Sequence, residues 1–307
     1  SLYYIIFCSY NKRLIDVIAA TALHERMQLH CVSLSKRKER TMKYNQVVSG
    51  TFLQRPNRFI AHVLIDSKEE ICHVKNTGRC HELLIPGCTV YCAVSDNPQR
   101  KTKFDLIAVE KRVAYPTGTN QQGIPVATTT SSEAIETNGA PNSKSDPGSS
   151  HVLLVNMDSQ APNAAVKEWL QSGTSPFGKI DYLKPECKFG NSRFDFYLET
   201  EKRKIFLEVK GVTLEDNGIV LFPDAPTERG VKHVRELIHC HEQGFETWVL
   251  FVVQMERALY FTPNRKTHPQ FADALCEAQN TGVQLLAYTC NVMPDEMKID
   301  KELKIRL

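Results

Sequence analysis

Three residues in the second half of the chain have the types and spacing to hold a hard divalent ion with a lysine beside it: Asp195, Glu208 and Lys210. Arg193–Glu199 and Lys204–Lys210 read as two strands about a polar turn at Glu201-Lys202. A hairpin symmetric about that turn sets Asp195 directly opposite Glu208. Directly opposed side chains share a face, with Cβ atoms about 4.5–5.5 Å apart. Two carboxylates so placed repel each other unless a cation or a proton lies between them. Lys210, two residues beyond Glu208, projects from the same face and adds one positive charge. This is a compact site for a hard divalent ion, Mg²⁺ or Mn²⁺, held by Asp195 and Glu208 and able to bridge carboxylates, water and phosphate. The alternative is an Asp/Glu/Lys ladder on an exposed sheet face, because Glu-x-Lys alone is common.

The elements that must position these residues alternate between strand and helix. Val152–Asn156 reads as a short apolar strand, and Pro162–Gln171 as a helix with Val166, Trp169 and Leu170 inward. After the hairpin come a strand at Val220–Phe222 and a helix from about Ala225 to Glu242 with Val231, Val234, Leu237 and Ile238 buried. Gly244 suits the position just past that helix. Trp248–Val253 has the unbroken apolar run of a fully buried strand, followed by a helix at Pro269–Asn280 and a last strand at Val283–Tyr288. Mixed order of this kind indicates a sheet covered by helices.

The first half follows a period of two. Val47–Leu53, Arg58–Ile65, Glu70–Val74, Thr89–Val94 and Phe104–Val109 read as strands broken by turn signals such as Gln54-Arg55-Pro56-Asn57. One short helical run, Arg79–Leu84, falls between the third and fourth. Five strands with a helix in that place outline an OB-type barrel, a scaffold for single-stranded nucleic acid or oligosaccharide. Arg55, Arg58, Lys75, Arg79, Arg100, Lys101 and Lys103 lie at or near its turns, with Phe52, Phe59, Tyr91 and Phe104 as stacking candidates. The alternative for each aromatic is a place in the barrel core.

The 307 residues allow about two domains at roughly 100–200 residues each. With 42% hydrophobic residues and a net charge of +3, the chain is not disordered throughout. It holds no run of about 18 apolar residues, so no membrane helix is expected. Residues 114–150 are rich in Gly, Pro, Ser, Thr and Asn without periodicity and read as a flexible linker between folded parts at 42–113 and 151–307. Residues 1–46 carry +5 and 47–113 carry +3, whereas 151–307 carry −3, so the first half is the half that favours a polyanion. The 10 cysteines form no Cys-x-x-Cys pair and no zinc-type cluster. They read as reduced thiols, which with the absence of a secretory h-region leads to a cytoplasmic expectation.

A resemblance rests on Thr51-Phe52-Leu53-Gln54-Arg55-Pro56-Asn57-Arg58-Phe59, Asn76-Thr77-Gly78, Ser95-Asp96-Asn97-Pro98, Ser192-Arg193-Phe194-Asp195-Phe196, Glu208-Val209-Lys210-Gly211-Val212-Thr213-Leu214 and Phe222-Pro223-Asp224-Ala225-Pro226-Thr227-Glu228-Arg229-Gly230. Together they make the chain from about Met42 onward resemble the sugar fermentation stimulation protein A family. The resemblance implies an N-terminal OB-like five-stranded β-barrel followed by an αβ nuclease-like domain of the PD-(D/E)XK kind with a central mixed sheet. It also implies a DNA-binding, nucleolytic protein whose metal ligands and catalytic lysine fall on Asp195, Glu208 and Lys210. Residues 1–41 have no counterpart in it, and Met42-Lys43-Tyr44 looks like a family start, so Met42 is the expected initiator and residues 1–41 an extension or a misassigned reading frame.

Further residues are then assigned around that site. Glu168, on the upstream helix, completes the ligand set in this reading; otherwise it is a solvated helical glutamate. Asp224, Thr227, Arg229 and His233 gather at the start of the next long helix, where Thr227 or Asp224 caps it. Arg229, Lys232 and His233 lie off its apolar stripe, placed to hold a phosphate, although a lone His often serves only a structural hydrogen bond. Gln254 is a weaker candidate. The nucleic-acid contacts expected are Arg55, Arg58, Asn76, Thr77, Arg79, Arg100, Lys101, Thr227, Arg229 and His233, with DNA ahead of RNA as partner and no membrane. Three classes follow: a metal-dependent nuclease, a non-catalytic DNA-binding regulatory protein that retains the nuclease fold, and an oligosaccharide-binding barrel. Steep loss of binding with salt distinguishes a phosphate ligand from a sugar.

Overall fold

The computed structural model describes residues 42–76, 78–113, 151–190 and 192–307. The expectations for residues 1–41, for the linker at 114–150 and for Thr77 lie outside them. The barrel strands are β1 (Val47–Asn57), β2 (Ile60–Ile65), β3 (Lys68–Val74), β4 (Thr89–Val94) and β5 (Phe104–Val113). Their pairings run β1–β2–β3–β5–β4 and back to β1, with only β3–β5 parallel, so the sheet returns on itself as an OB domain does. Phe52, Val63, Cys72, Val90, Cys92 and Leu106 fill its interior.

Two local expectations in the barrel are corrected. Residues 79–84 form no helix. Cys80 has a left-handed backbone at φ 48°, and bonds from the Leu83 and Leu84 amides to its carbonyl close a single turn before Pro86 and Gly87 end it. The first hairpin turn also lies further on than Gln54–Asn57: β1 runs through Pro56, and Asn57 Oδ1 instead accepts from the amides of Phe59 and Ile60.

The second half holds β6 (His151–Asn156), α1 (Ala161–Ser172), β7 (Tyr182–Phe189), β8 (Ser192–Glu199), β9 (Lys204–Val212), β10 (Leu214–Asp216), β11 (Ile219–Phe222), α2 (Glu228–Glu242), β12 (Glu246–Val253), β13 (Tyr260–Pro263), α3 (Pro269–Thr281), β14 (Gln284–Met293) and β15 (Glu296–Glu302). β6 pairs with β5 and so extends the barrel sheet rather than the sheet that follows. The main sheet has the order β15-β14-β12-β9-β8-β7, with β9, β12 and β14 parallel and the flanks antiparallel. Helices α2 and α3 pack on one face and α1 on the other. That two-sided cover explains why β12 is apolar from Trp248 onward: Val249 to Val253 are all buried. A small sheet, β10-β11-β13, stands beside it.

Helix α2 starts at Glu228, three residues later than its apolar pattern suggested. Thr227 Oγ1 accepts from the Gly230 amide at 3.0 Å, an N-cap that also sets Arg229 and His233 on the first turns. Its inward stripe is Val231, Val234, Leu237 and Cys240. Among the described residues no helix is long and apolar enough to cross a membrane, and the cysteines are unpaired.

Candidate active site at the fork of β8 and β9

The hairpin register is the symmetric one, with Glu199↔Lys204, Leu198↔Ile205, Tyr197↔Phe206 and Phe196↔Leu207. It stops one pair short of the expected Asp195–Glu208 opposition. Asp195 Oδ2 instead accepts the Val209 amide at 2.7 Å, so a side chain takes over the ladder bond and the strands fork there. Asp195 Oδ1 accepts from Asn163 Nδ2 at 2.7 Å, which ties the carboxylate to the first turn of α1.

Glu208 is almost fully buried, with 2% of its surface exposed. One of its oxygens, Oε1, accepts from Lys210 Nζ at 2.6 Å and bonds His233 Nδ1 at 2.6 Å. Its other oxygen, Oε2, is buried without a hydrogen-bond partner. Arg229 Nε donates to His233 Nε2 at 3.4 Å. An arginine cannot accept, so His233 Nε2 is the acceptor and Nδ1 carries the proton given to Glu208. The resulting chain is Arg229 to His233 to Glu208, with Lys210 on the same oxygen.

The two carboxylates differ electrostatically. Burial first, then the Glu208 charge, push Asp195 above the ordinary carboxylate range, against the pull of the Val209 amide, Asn163 and Lys210. Burial pushes Glu208 the same way, but the His233 bond and the Lys210 charge outweigh it and hold Glu208 below its ordinary value. One carboxylate is thus stabilised as an anion while its neighbour resists ionising.

Of the expected site residues, Asp195, Glu208, Lys210, His233 and Arg229 come together and Thr227 serves as the cap. Glu168 does not join them, since its Oε2 accepts from the Met42 amide; Asn163, one turn earlier on α1, reaches Asp195 in its place. Gln254 is a strut, its Nε2 donating to the carbonyls of Asn156 and Asp158 at 3.0 and 3.2 Å. Among the described residues no three His, Cys, Asp or Glu side chains gather as a metal-binding group.

The barrel cations divide into braces and exposed charges. Arg55 donates to the carbonyls of Arg79, Arg58 and Asn76 at 2.7 to 2.8 Å, which locks two loops together. Arg100 grips both oxygens of Asp105 at 2.7 and 2.6 Å. Asn76 donates to the Met157 carbonyl at 3.0 Å, across to the segment after β6. Arg58, Arg79 and Lys101 are exposed. Among the aromatics, Phe52 and Phe104 are core, and Tyr91 donates to Glu110. Phe59 is 52% exposed, with the Arg58 guanidinium 5.9 Å from its ring centre.

An OB domain joined to a helix-covered mixed sheet, with two carboxylates and a lysine where β8 and β9 fork, defines the class of protein. Family models divide the chain in the same way: residues 53–115 match the SfsA N-terminal OB domain, and residues 160–296 match the sugar fermentation stimulation protein RE domain. The chain belongs to the sugar fermentation stimulation protein family, SfsA. It is 48% identical over 266 residues to the sugar fermentation stimulation protein homolog of Ruminiclostridium cellulolyticum, covering 87% of this chain and 100% of that one. It is 48% identical over 258 residues to the homolog of Clostridium beijerinckii, covering 84% and 96%. The solved structure of Pyrococcus furiosus SfsA in complex with Ca²⁺ matches with a TM-score of 0.67 at 24% identity, over 88% of this chain and 100% of that one, a likeness of fold.

Proposed function

We propose that the protein is a divalent-metal-dependent nuclease that hydrolyses phosphodiester bonds in DNA, with the OB domain holding the strand. The observation that carries this reading is the division of labour on Glu208: Oε1 is fixed by Lys210 and His233, while Oε2 is buried and without a partner beside Asp195. A buried carboxylate oxygen left unbonded costs about 1–3 kcal/mol or more, and a Mg²⁺ or Mn²⁺ ion held by Glu208 and Asp195 would remove that cost. The donor set fits a hard ion, being oxygen only, with water and phosphate left to complete it. The P. furiosus relative is described as a Ca²⁺ complex, in keeping with such a site.

When bound, the ion supplies polarisation of the scissile phosphate and a lowered pKa for a coordinated water. The chain's own residues do the rest. His233, oriented by Arg229, holds Glu208 in one rotamer. Asn163 and the Val209 amide do the same for Asp195. Lys210 brings a cation to the place where negative charge grows in the transition state. Arg58, Arg79 and Lys101 hold the strand by its phosphates. Asp195, Glu208 and Lys210 on one hairpin support the PD-(D/E)XK reading that the family resemblance implies.

A second reading, a DNA-binding protein without turnover, is favoured by one observation: among the described residues no three His, Cys, Asp or Glu side chains are arranged to hold a metal ion. Incubating labelled single- and double-stranded DNA and RNA with the protein and Mg²⁺, Mn²⁺ or EDTA separates the two. Metal-dependent products support the nuclease, and salt-sensitive binding without products supports the second reading.

A further inference from the structure

A cleft of about 290 Å³ opens where the barrel meets the main sheet, at the C-terminal ends of β9 and β12. The outer edge of parallel strands is where α/β sheets place ligands. Asn76 and Gly78 of the barrel form one wall, and Phe222 and Asp224 of the loop before α2 form another. The floor is Gly211 and Thr213, so the cleft begins one residue after Lys210. Only glycine fits at 211, because a Cβ atom there would lie 2.5 Å from Gln254 Oε1 and 2.8 Å from Pro162.

The lining selects a particular chemistry. Among the described residues the Asp224 carboxylate has no hydrogen bond and no ion pair. An ionised carboxylate only accepts hydrogen bonds, so this wall repels phosphate and attracts a donor. Phe222 packs its inner side against Phe271 at 5.1 Å between ring centres and stays half-buried at the cleft. An apolar ring beside an acceptor suits a flat aromatic body with N–H groups on its edge. Ligand pockets run from about 300 to 1,000 Å³; this one, at their lower limit, takes one such group and not a whole nucleotide chain.

We propose that this cleft, on the nuclease reading given above, receives one unpaired nucleobase of the strand being cut, with Asp224 accepting from its Watson–Crick edge. Guanine fits best, because N1–H and the N2 amino group sit side by side and match the two carboxylate oxygens. Cytosine and adenine offer one amino group each, and thymine offers only N3–H. A base inside a duplex cannot reach the cleft without leaving its stack. The substrate class is therefore single-stranded or locally unpaired nucleic acid.

The test is binding of short dT oligonucleotides, each with one central dT replaced by dG, dC or dA, to the metal-free full chain by fluorescence anisotropy. The dG oligonucleotide is expected to bind about tenfold tighter than all-dT, the discrimination of one good bidentate contact. Asp224→Asn and Asp224→Ala should each abolish that ratio. Replacing the dG by 1-methylguanine removes the N1–H donor and puts a methyl group on the same edge, and it should abolish the ratio with the wild-type protein, whether or not the variants fold. Equal affinity for all oligonucleotides, or an advantage that survives 1-methylguanine, overturns the base pocket; salt-sensitive binding and metal-dependent cleavage would then leave the nuclease reading standing. Absence of any binding or cleavage overturns both.

Discussion

His233 Nδ1 meets Glu208 Oε1 at 2.6 Å, so the acidic residue at the heart of the site is held by a residue 25 positions further along the chain. The contact crosses from α2 to β9 and joins two elements that the sequence separates by a loop, a small hairpin and a helix cap.

The first prediction follows from that contact. A residue that orients a metal ligand typically contributes about 10–100-fold in metal affinity or activity. His233→Ala should weaken Mn²⁺ binding, measured by calorimetry, within that range. His233→Asn, whose amide nitrogen can donate from nearly the same place as Nδ1, should recover part of it. Equal affinity in all three proteins would show that Glu208 needs no such support.

Asp195 sets a pH dependence whose sign is fixed. Burial and the Glu208 charge raise its folded pKa above the unfolded one. The folded state therefore binds the proton more tightly, and this stabilisation is present at low pH and lost as pH rises through the folded value. In metal-free protein the neutral variant Asp195→Asn should match the wild type near pH 4 and become the more stable of the two as pH approaches about 7. Thermal unfolding checks this. Adding Mg²⁺ at neutral pH should raise the wild-type Tm and close the gap.

The hairpin shows how much of the site was legible in the sequence. Two apolar runs about a polar turn fixed the pairing from Glu199↔Lys204 to Phe196↔Leu207, and alternation alone put Lys210 beside Glu208. The fork was not legible, because a carboxylate standing in for a ladder carbonyl at the Val209 amide leaves no trace in a hydrophobic pattern. Asn163 was missed for the same reason: its role is one long-range hydrogen bond, whereas Glu168 had the more metal-like side chain. His233 and Arg229 were identified as functional but given a phosphate rather than Glu208. Strand β7 escaped notice because Pro185 and the left-handed Glu186, at φ 50°, interrupt a mostly exposed edge strand. The false helix at 79–84 reflects composition without the φ of Cys80.

The split between braces and exposed cations on the barrel is testable residue by residue. Arg100→Ala removes both bonds to Asp105, and a hydrogen bond to a charged group contributes about 1.5–3 kcal/mol. It should lower stability by an amount in that range. Arg79→Ala and Lys101→Ala should change stability by less than about 0.5 kcal/mol. Each should instead weaken DNA binding and reduce its salt slope by about 1. Denaturant unfolding and binding at several salt concentrations separate the two groups.

Gly211→Ala should damage the site from behind. The new methyl meets the Gln254 amide, itself held by the Asn156 and Asp158 carbonyls, and the Pro162 ring. Overpacking of this kind costs about 1–3 kcal/mol. A fall in urea midpoint with unchanged slope is the expected result.

The most direct test of the account compares metal-dependent cleavage of labelled DNA by the wild type, Glu208→Ala and Lys210→Ala, with folding verified by thermal unfolding. The account predicts Mg²⁺- or Mn²⁺-dependent products from the wild type, lost with EDTA and lost in both folded variants. Products of equal yield from all three proteins, or none from the wild type with any metal while DNA binding persists, would contradict it.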